Sequence, residues 1–186
     1  MALTPSTMLP LGTSAPAFSL LDTVSGHTRS LADCAGPAGL VVMFICNHCP
    51  YVQHVNAELV RVATDYQPRG VGFVAISSND AAAYPQDGPE PMRAAARRLG
   101  YPFPYLYDET QAVARAYQAA CTPDFYLFDA ALKLVYRGRL DGSTPGNGVP
   151  VTGADLRGAL DALLADAAPD PSTQRPSLGC NIKFRT

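Results

Sequence analysis

Two cysteines separated by two residues and followed by a proline, Cys46-Asn47-His48-Cys49-Pro50, close an apolar run that begins at Leu40. Thiols at this spacing suit redox chemistry. A sulfur that attacks a disulfide or a peroxide is left as a mixed disulfide or a sulfenic acid, and a second thiol must resolve it. The apolar run predicts a strand and Pro50 a helix start, because proline at the first helical position gives up no hydrogen bond and carries a helix-ready φ. Cys49 then lies at the first turn, near the positive end of the macrodipole and near unpaired N–H groups, both of which favour the thiolate. It is the candidate nucleophile, expected to be partly exposed, with a pKa in the range of ~3.5 to 7.5 that such positions reach. Cys46 is the first candidate resolver, and it equally fits a packed thiol at a strand end. A disulfide between the two needs Cα atoms within ~7 Å and converging side chains, a test that a Cys46 turned into the sheet would fail. His48 offers a positive charge or a proton donor, or is a solvated loop residue. Asn47 is expected to bond the backbone of its own turn.

The composition narrows the chemistry that such a site serves. At 186 residues, 47% hydrophobic and 16% charged, the chain reads as one α/β domain able to bury a core without covalent staples. A net charge of −2 gives no electrostatic reason to expect nucleic acid or an anionic membrane as partner. The longest apolar stretch falls far short of the ~18 to 20 residues that span a bilayer. Met1 to Leu11 carries no basic leader and is broken by Pro5 and Pro10, so a cytoplasmic location is expected. Five cysteines, an odd number, argue against a disulfide framework and for transient or buried thiols.

The elements that must hold the cysteines follow from periodicity. Residues 1–16 read as an irregular arm, and 17–31 as a small hairpin turning at Ser25-Gly26. Leu40 to Ile45 lacks polar alternation, the mark of a central strand covered on both faces. Val52, Val55, Leu59, Val62 and Tyr66 trace one face of a helix that stops before Pro68, and Val71 to Ile76 is a second buried strand. The proline-rich loop 77–91 is long enough to reach the mouth of the site. Met92 to Leu99 reads as a helix, and Phe103 to Tyr107 as a surface crossing or edge strand because of Pro102 and Pro104. Asp108 and Gln111 suggest a capping box for a helix through Ala120. A hairpin spans 121–136, and Thr152 with Asp155 opens a last helix with Leu156, Leu160, Leu163 and Leu164 inward. Residues 167–186 form an extended tail whose apolar residues should pack on the body. Cys34, in a turn-like stretch, reads as incidental, and Cys180, in the tail, either approaches the site as a further candidate resolver or, as the first reading, is a buried structural thiol.

The order strand, cysteine-bearing helix, strand, helix, hairpin and terminal helix over residues 10–166 is similar to the thioredoxin-like fold. With Ala15-Pro16-Ala17-Phe18-Ser19-Leu20, Cys46-Asn47-His48-Cys49-Pro50-Tyr51-Val52, Pro123-Asp124-Phe125-Tyr126-Leu127-Phe128-Asp129 and Gly179-Cys180-Asn181-Ile182-Lys183, the chain resembles the peroxiredoxin-like proteins of the redoxin (AhpC/TSA-type) group. The resemblance implies a mixed central sheet with helices on both faces and an N-terminal hairpin extension. Laid on the thioredoxin strand, Cys49 takes the place of the first motif cysteine and Val52 that of the second, so this pair lies three residues upstream of the thioredoxin motif. Peroxiredoxins carry Pro and Thr before the peroxidatic cysteine where this chain has Val42 and Cys46, and their later Arg is met by Pro123. Relatives of the thioredoxin type keep a cis-proline there, so a Thr122-Pro123 cis bond is expected, with Cys121 beside it as a second candidate resolver. The implied activity is thiol–disulfide exchange ahead of efficient peroxidase chemistry, without cofactor or metal. Its partners would be protein or small-molecule disulfides, peroxides and an unidentified thiol reductant.

Two other readings fit the same residues. Copper chaperones of the Sco type place two cysteines and a histidine on this fold, and Cys46, Cys49, His48 and His54 are close in sequence. A redox-inert interaction module is the third reading, with Tyr51, Tyr84 and Tyr101 as its partner surface.

Overall fold

A computed structural model describes residues 3–185; Met1, Ala2 and Thr186, which belong to the expected arm and tail, lie outside the described residues. Strands β1 (Leu3–Pro5), β2 (Ser19–Asp22) and β3 (Thr28–Ser30) lead into a one-turn helix, α1 (Leu31–Cys34). Then come β4 (Gly39–Phe44), α2 (Pro50–Tyr66), β5 (Val71–Ser77), α3 (Pro89–Leu99), β6 (Tyr105–Tyr107) and α4 (Ala112–Ala116). The chain closes with β7 (Cys121–Thr122), β8 (Asp124–Asp129), β9 (Leu134–Gly138), α5 (Ala154–Leu164) and β10 (Leu178–Asn181).

Seven strands form a mixed sheet in the order β3-β2-β6-β5-β4-β8-β9, with β4 and β5 parallel and β4 and β8 antiparallel. The central strand is β4, and its side chains alternate between two apolar layers because strand residues point to opposite faces in turn. Val41 and Met43 pack with Val52, Val55 and Leu59 of α2, Met92 of α3 and Leu160 of α5. Leu40, Val42 and Phe44 pack on the other face with Val113 and Ala114 of α4 and with Tyr117. Burial on both faces is what removed polar alternation from this strand. At its carboxyl end the chain leaves the sheet through Ile45 and Cys46 and enters α2 at Pro50, so the cysteines are fixed by the most buried strand of the fold.

Four elements differ from what the sequence suggests. The 103–107 segment is no edge: β6 lies between β2 and β5, fully buried, and the prolines precede it, where the Pro104 carbonyl accepts from the Ala75 N–H at 3.0 Å. Helix α4 ends at Ala116, and Asp108 serves it by accepting from Ala114 N at 2.9 Å, while Gln111, in the left-handed region at φ 63°, gives no side-chain cap. Thr152 does not cap α5; the buried Asp141 carboxylate accepts from Thr152 N and Gly153 N at 2.7 and 2.6 Å. Of its four leucines, Leu156 and Leu160 are buried and Leu163 and Leu164 half-buried. The arm is not wholly irregular, since β1 pairs with β10, which pairs with β7, in a second sheet of three strands. The hairpin of β2 and β3 extends one end of the main sheet, and Cys34 closes the short helix α1, whose Ser30 and Asp33 form a capping box.

Candidate active site

Cys49 is the N-cap residue of α2, with Pro50 next to it, as the helix-start chemistry of this stretch suggests. It is not partly exposed, however, but fully buried, with no accessible surface. The cover comes from β7 and β10. Thr122 and Pro123 are joined by a cis peptide bond, and the Cys49 thiol donates to the Thr122 carbonyl at 3.2 Å.

Burial alone would raise a thiol pKa, since it penalises the charged form. Cys49 is shifted the other way, well below the usual thiol range. The largest cause is a hydrogen bond from the Cys46 thiol, opposed by burial, and the Cys180 thiol, the Thr122 hydroxyl and the Cys180 backbone then add to the lowering. Hydrogen bonds to the charged form favour it, and here protein donors stand where water would around an exposed sulfur. Cys46 moves up, first through that same hydrogen bond, then through burial, then through the Asp87 carboxylate. Cys180 is pushed up to about 12 by burial and by its bond to Cys49. The three thiols are thus shifted in opposite directions, Cys49 down and its neighbours Cys46 and Cys180 up.

The loop between β4 and α2 is held from outside by a residue that sequence reasoning did not single out. Asp87 is fully buried, and its carboxylate accepts from Asn47 N at 2.8 Å, from His48 N at 3.3 Å and from Asn79 Nδ2 at 2.8 Å, and also engages His48 Nδ1. It belongs to the proline-rich loop between β5 and α3, whose length gave the only signal for it. Asn79 continues the chain of bonds by accepting from Lys183 N at 2.7 Å, which ties the tail to the cysteine loop. Asn47 does not bond its own turn. Its amide donates to the Gln86 carbonyl at 2.8 Å, and its Oδ1 accepts from the Tyr105 hydroxyl at 3.1 Å. The His48 ring stacks on Tyr84, with 5.4 Å between centroids.

Cys46 is 3.5 Å from Thr122 Oγ1 and 4.0 Å from His48 Nδ1. A cavity of about 520 Å³ opens onto Cys46 and Asn47 between α2 and α3. Cys121, the second candidate resolver, is set apart. Neighbouring strand residues face opposite ways, so with Thr122 turned toward Cys46 the Cys121 side chain leaves on the other face, and its thiol reaches the Pro123 carbonyl at 3.9 Å. All five cysteines are buried.

Among the described residues, Cys46, His48 and Asp87 form a group able to hold a metal, with ligand atoms within 4.8 Å of one another. His54 is not part of it and bonds Ser143 Oγ at 2.8 Å. Every Asp87 oxygen already has protein donors, which fits a carboxylate that positions the loop better than one that waits for a cation. The tyrosines proposed for a partner surface are half-buried and occupied: Tyr84 by His48, Tyr101 by Phe103 and by Asn56 Oδ1 at 2.7 Å. No helix among the described residues is long and apolar enough to cross a membrane.

The model of the AhpC/TSA family matches residues 11–137. A crystal structure of an uncharacterised conserved protein from Geobacillus kaustophilus is 59% identical over 100% of this chain and 97% of that one, with a TM-score of 0.97. A hypothetical protein from Sinorhizobium meliloti 1021 is 47% identical over 98% and 99% of the two chains, with a TM-score of 0.95. A putative thiol:disulfide interchange protein DsbE from Chlorobium tepidum, 19% identical over 84% of this chain and 99% of its own, superposes with a TM-score of 0.67. At that identity the likeness is one of fold, and the fold is thioredoxin-like. No curated protein matches the chain at a significant level.

Proposed function

The chain belongs to the AhpC/TSA family, whose chemistry is thiol-based redox, and from that premise we propose that it is a thiol–disulfide oxidoreductase with Cys49 as its nucleophile. The observation that carries this reading is the Cys49 sulfur at the N-cap of α2, in one buried layer with the Cys46 and Cys180 thiols; its pKa is shifted down, first by Cys46. Cys49 is fully covered in this structure, so the cover must open before a disulfide reaches it; the thiolate then attacks the nearer sulfur in line, and the departing sulfur takes a proton from solvent. Efficient peroxidase action is the weaker form of the proposal. The positions where peroxiredoxins carry Pro, Thr and Arg hold Val42, Cys46 and Pro123 here, so the polar frame that would orient a peroxide is not built the same way. The substrates we propose are small-molecule or protein disulfides, with peroxides as slow oxidants, recycled by an external thiol reductant. Five cysteines, an odd number, suit transient or buried thiols over a disulfide framework, and we propose the cytoplasm.

The test is a thiol count. Fully reduced protein exposed to a disulfide should lose two titratable thiols; if Cys49→Ser loses them at the wild-type rate, the proposal is wrong. A metal-handling role is the second reading, favoured only by the Cys46, His48 and Asp87 group. Stoichiometric copper or zinc in protein purified without chelator would move it to first place.

A further inference from the structure

The tail, read from sequence as an extended segment with a structural thiol, ends against the nucleophile. In the second sheet, β10 pairs antiparallel with β7 so that Cys180 lies opposite Thr122 and Asn181 opposite Cys121. Directly opposed residues on antiparallel strands put their side chains on the same face. Thr122 turns its hydroxyl to within 3.5 Å of Cys46 Sγ, so the Cys180 thiol points to the face that holds Cys46 and Cys49. The carbonyl of the same Thr122 is 3.2 Å from Cys49 Sγ, so Cys46, Cys49 and Cys180 all meet this one residue. All three thiols belong to one buried layer.

The approach of β10 is close and firm. A Cβ on Gly179 would come within 1.9 Å of the Thr122 carbonyl oxygen, so only glycine lets the strand pack this near. Beyond it the tail is pinned by Ile182 N donating to the Ala120 carbonyl at 3.0 Å, by Asp80 N donating to Lys183 O at 2.9 Å and by Gln111 Nε2 donating to the same oxygen at 2.8 Å. Cys180 is therefore a held partner and not a passing one.

The two neighbours of Cys49 differ in what surrounds them. Cys46 shares its space with the Asp87 carboxylate, within 4.8 Å, and a negative charge at that distance works against a second thiolate there. Cys180 is also pushed up, first by burial and then by Cys49, but it has no carboxylate beside it among its causes and the Lys183 ammonium acts the other way.

Building on the proposed nucleophilic role of Cys49, we propose that Cys180 is the resolving thiol of this protein, and that its catalytic cycle passes through an intramolecular Cys49–Cys180 disulfide. In the first step the Cys49 thiolate attacks one sulfur of a disulfide R–S–S–R, forming Cys49–S–S–R and releasing one R–S⁻, which takes up a proton. In the second, Cys180 loses its proton and attacks the Cys49 sulfur. The Cys49–Cys180 bond forms, the bond to R breaks, and the second R–S⁻ leaves with a proton. Two protein thiols are oxidised and one substrate disulfide is reduced to two thiols. Cys46 keeps its hydrogen throughout and acts as the donor that holds Cys49 ionised.

Cystamine, a small symmetric disulfide, is a suitable probe, with peptide mass mapping of the products under non-reducing conditions. Wild-type protein should yield the Cys49–Cys180 disulfide and no lasting adduct. Cys180→Ser should hold cysteamine on Cys49 in near-stoichiometric amount, and Cys46→Ser should still close the Cys49–Cys180 bond. A Cys46–Cys49 disulfide in the wild type, or an adduct trapped in Cys46→Ser and not in Cys180→Ser, overturns the inference while leaving Cys49 as nucleophile. Oxidation that bypasses Cys49 altogether overturns the functional reading and this one with it. The wild-type map decides the matter even if a variant fails to fold.

Discussion

Replacing Cys46 with alanine removes the hydrogen bond that contributes most to the low pKa of Cys49. A hydrogen bond to a charged group contributes about 1.5–3 kcal/mol. With 1.36 kcal/mol equivalent to one pKa unit, the Cys49 pKa should rise by roughly one to two units. Two effects pull against this. The Cys180 thiol and backbone and the Thr122 hydroxyl remain as donors, and water entering the space left by the sulfur from the cavity beside Cys46 would solvate the thiolate. The lower end of the range is therefore the expected result for alanine. Cys46→Ser, which keeps a shorter donor, should fall between alanine and wild type. The assay is the ultraviolet absorbance of the thiolate as a function of pH, with each curve corrected by the same variant carrying Cys49→Ser. An unchanged or lower Cys49 pKa in Cys46→Ala would refute the assignment of Cys46 as the donor that holds the thiolate.

Other perturbations reach the same site from further away. Gly179→Ala forces a Cβ onto the Thr122 carbonyl, backbone against backbone, at an overpacking cost of about 1–3 kcal/mol. If β10 yields, Cys49 should be alkylated about ten-fold faster or more, with the rest of the fold intact by circular dichroism. Asp87→Ala leaves the buried N–H groups of Asn47 and His48 without their acceptor and should lower stability to urea by about 2–4 kcal/mol, against less than 1 kcal/mol for the exposed Gln86→Ala. Burial raises Asp124 from 3.8 to about 8, so the folded state holds a proton that the unfolded chain has lost, and stability should fall as pH rises between those values. Cys49, shifted down, does the reverse and gains stability with pH as it approaches its ordinary value. Urea midpoints should therefore rise more steeply with pH in Asp124→Asn than in wild type, and less steeply in Cys49→Ser; equal slopes in all three would contradict both assignments.

Legibility from sequence followed the scale of the interaction. Periodicity within one element was enough for β4, α2 and β5, because their apolar residues face layers on both sides or along one stripe, and that requirement is written locally. It failed for β6, whose prolines suggested an edge although both fall before the paired residues, where a missing N–H costs the ladder nothing. It failed too for the start of α5, because Asp141, thirteen residues upstream of Ala154, takes the place that a side chain at the helix start would hold. Capping that arrives from another part of the chain leaves no pattern at the helix itself.

The helix start at Cys49 was legible in the sequence, and the surroundings of its sulfur were not. A cysteine followed by proline marks a helix start, and the field at that end is a property of α2 alone. By itself it would not keep a fully buried sulfur ionised, because desolvation acts against the dipole and grows as the cover closes. What reverses the sign is first the Cys46 thiol and then the cover itself. Thr122 on β7 and Cys180 on β10 exclude water from Cys49, and the groups that exclude it donate in its place. These donors come from positions 46, 122 and 180, and the loop that presents Cys46 is fixed from position 87. No spacing rule connects such distant residues; only the pairing of β7 with β10 does. A more exposed Cys49, as the helix start alone suggests, would trade these fixed donors for water and lose the thiol best placed to resolve it.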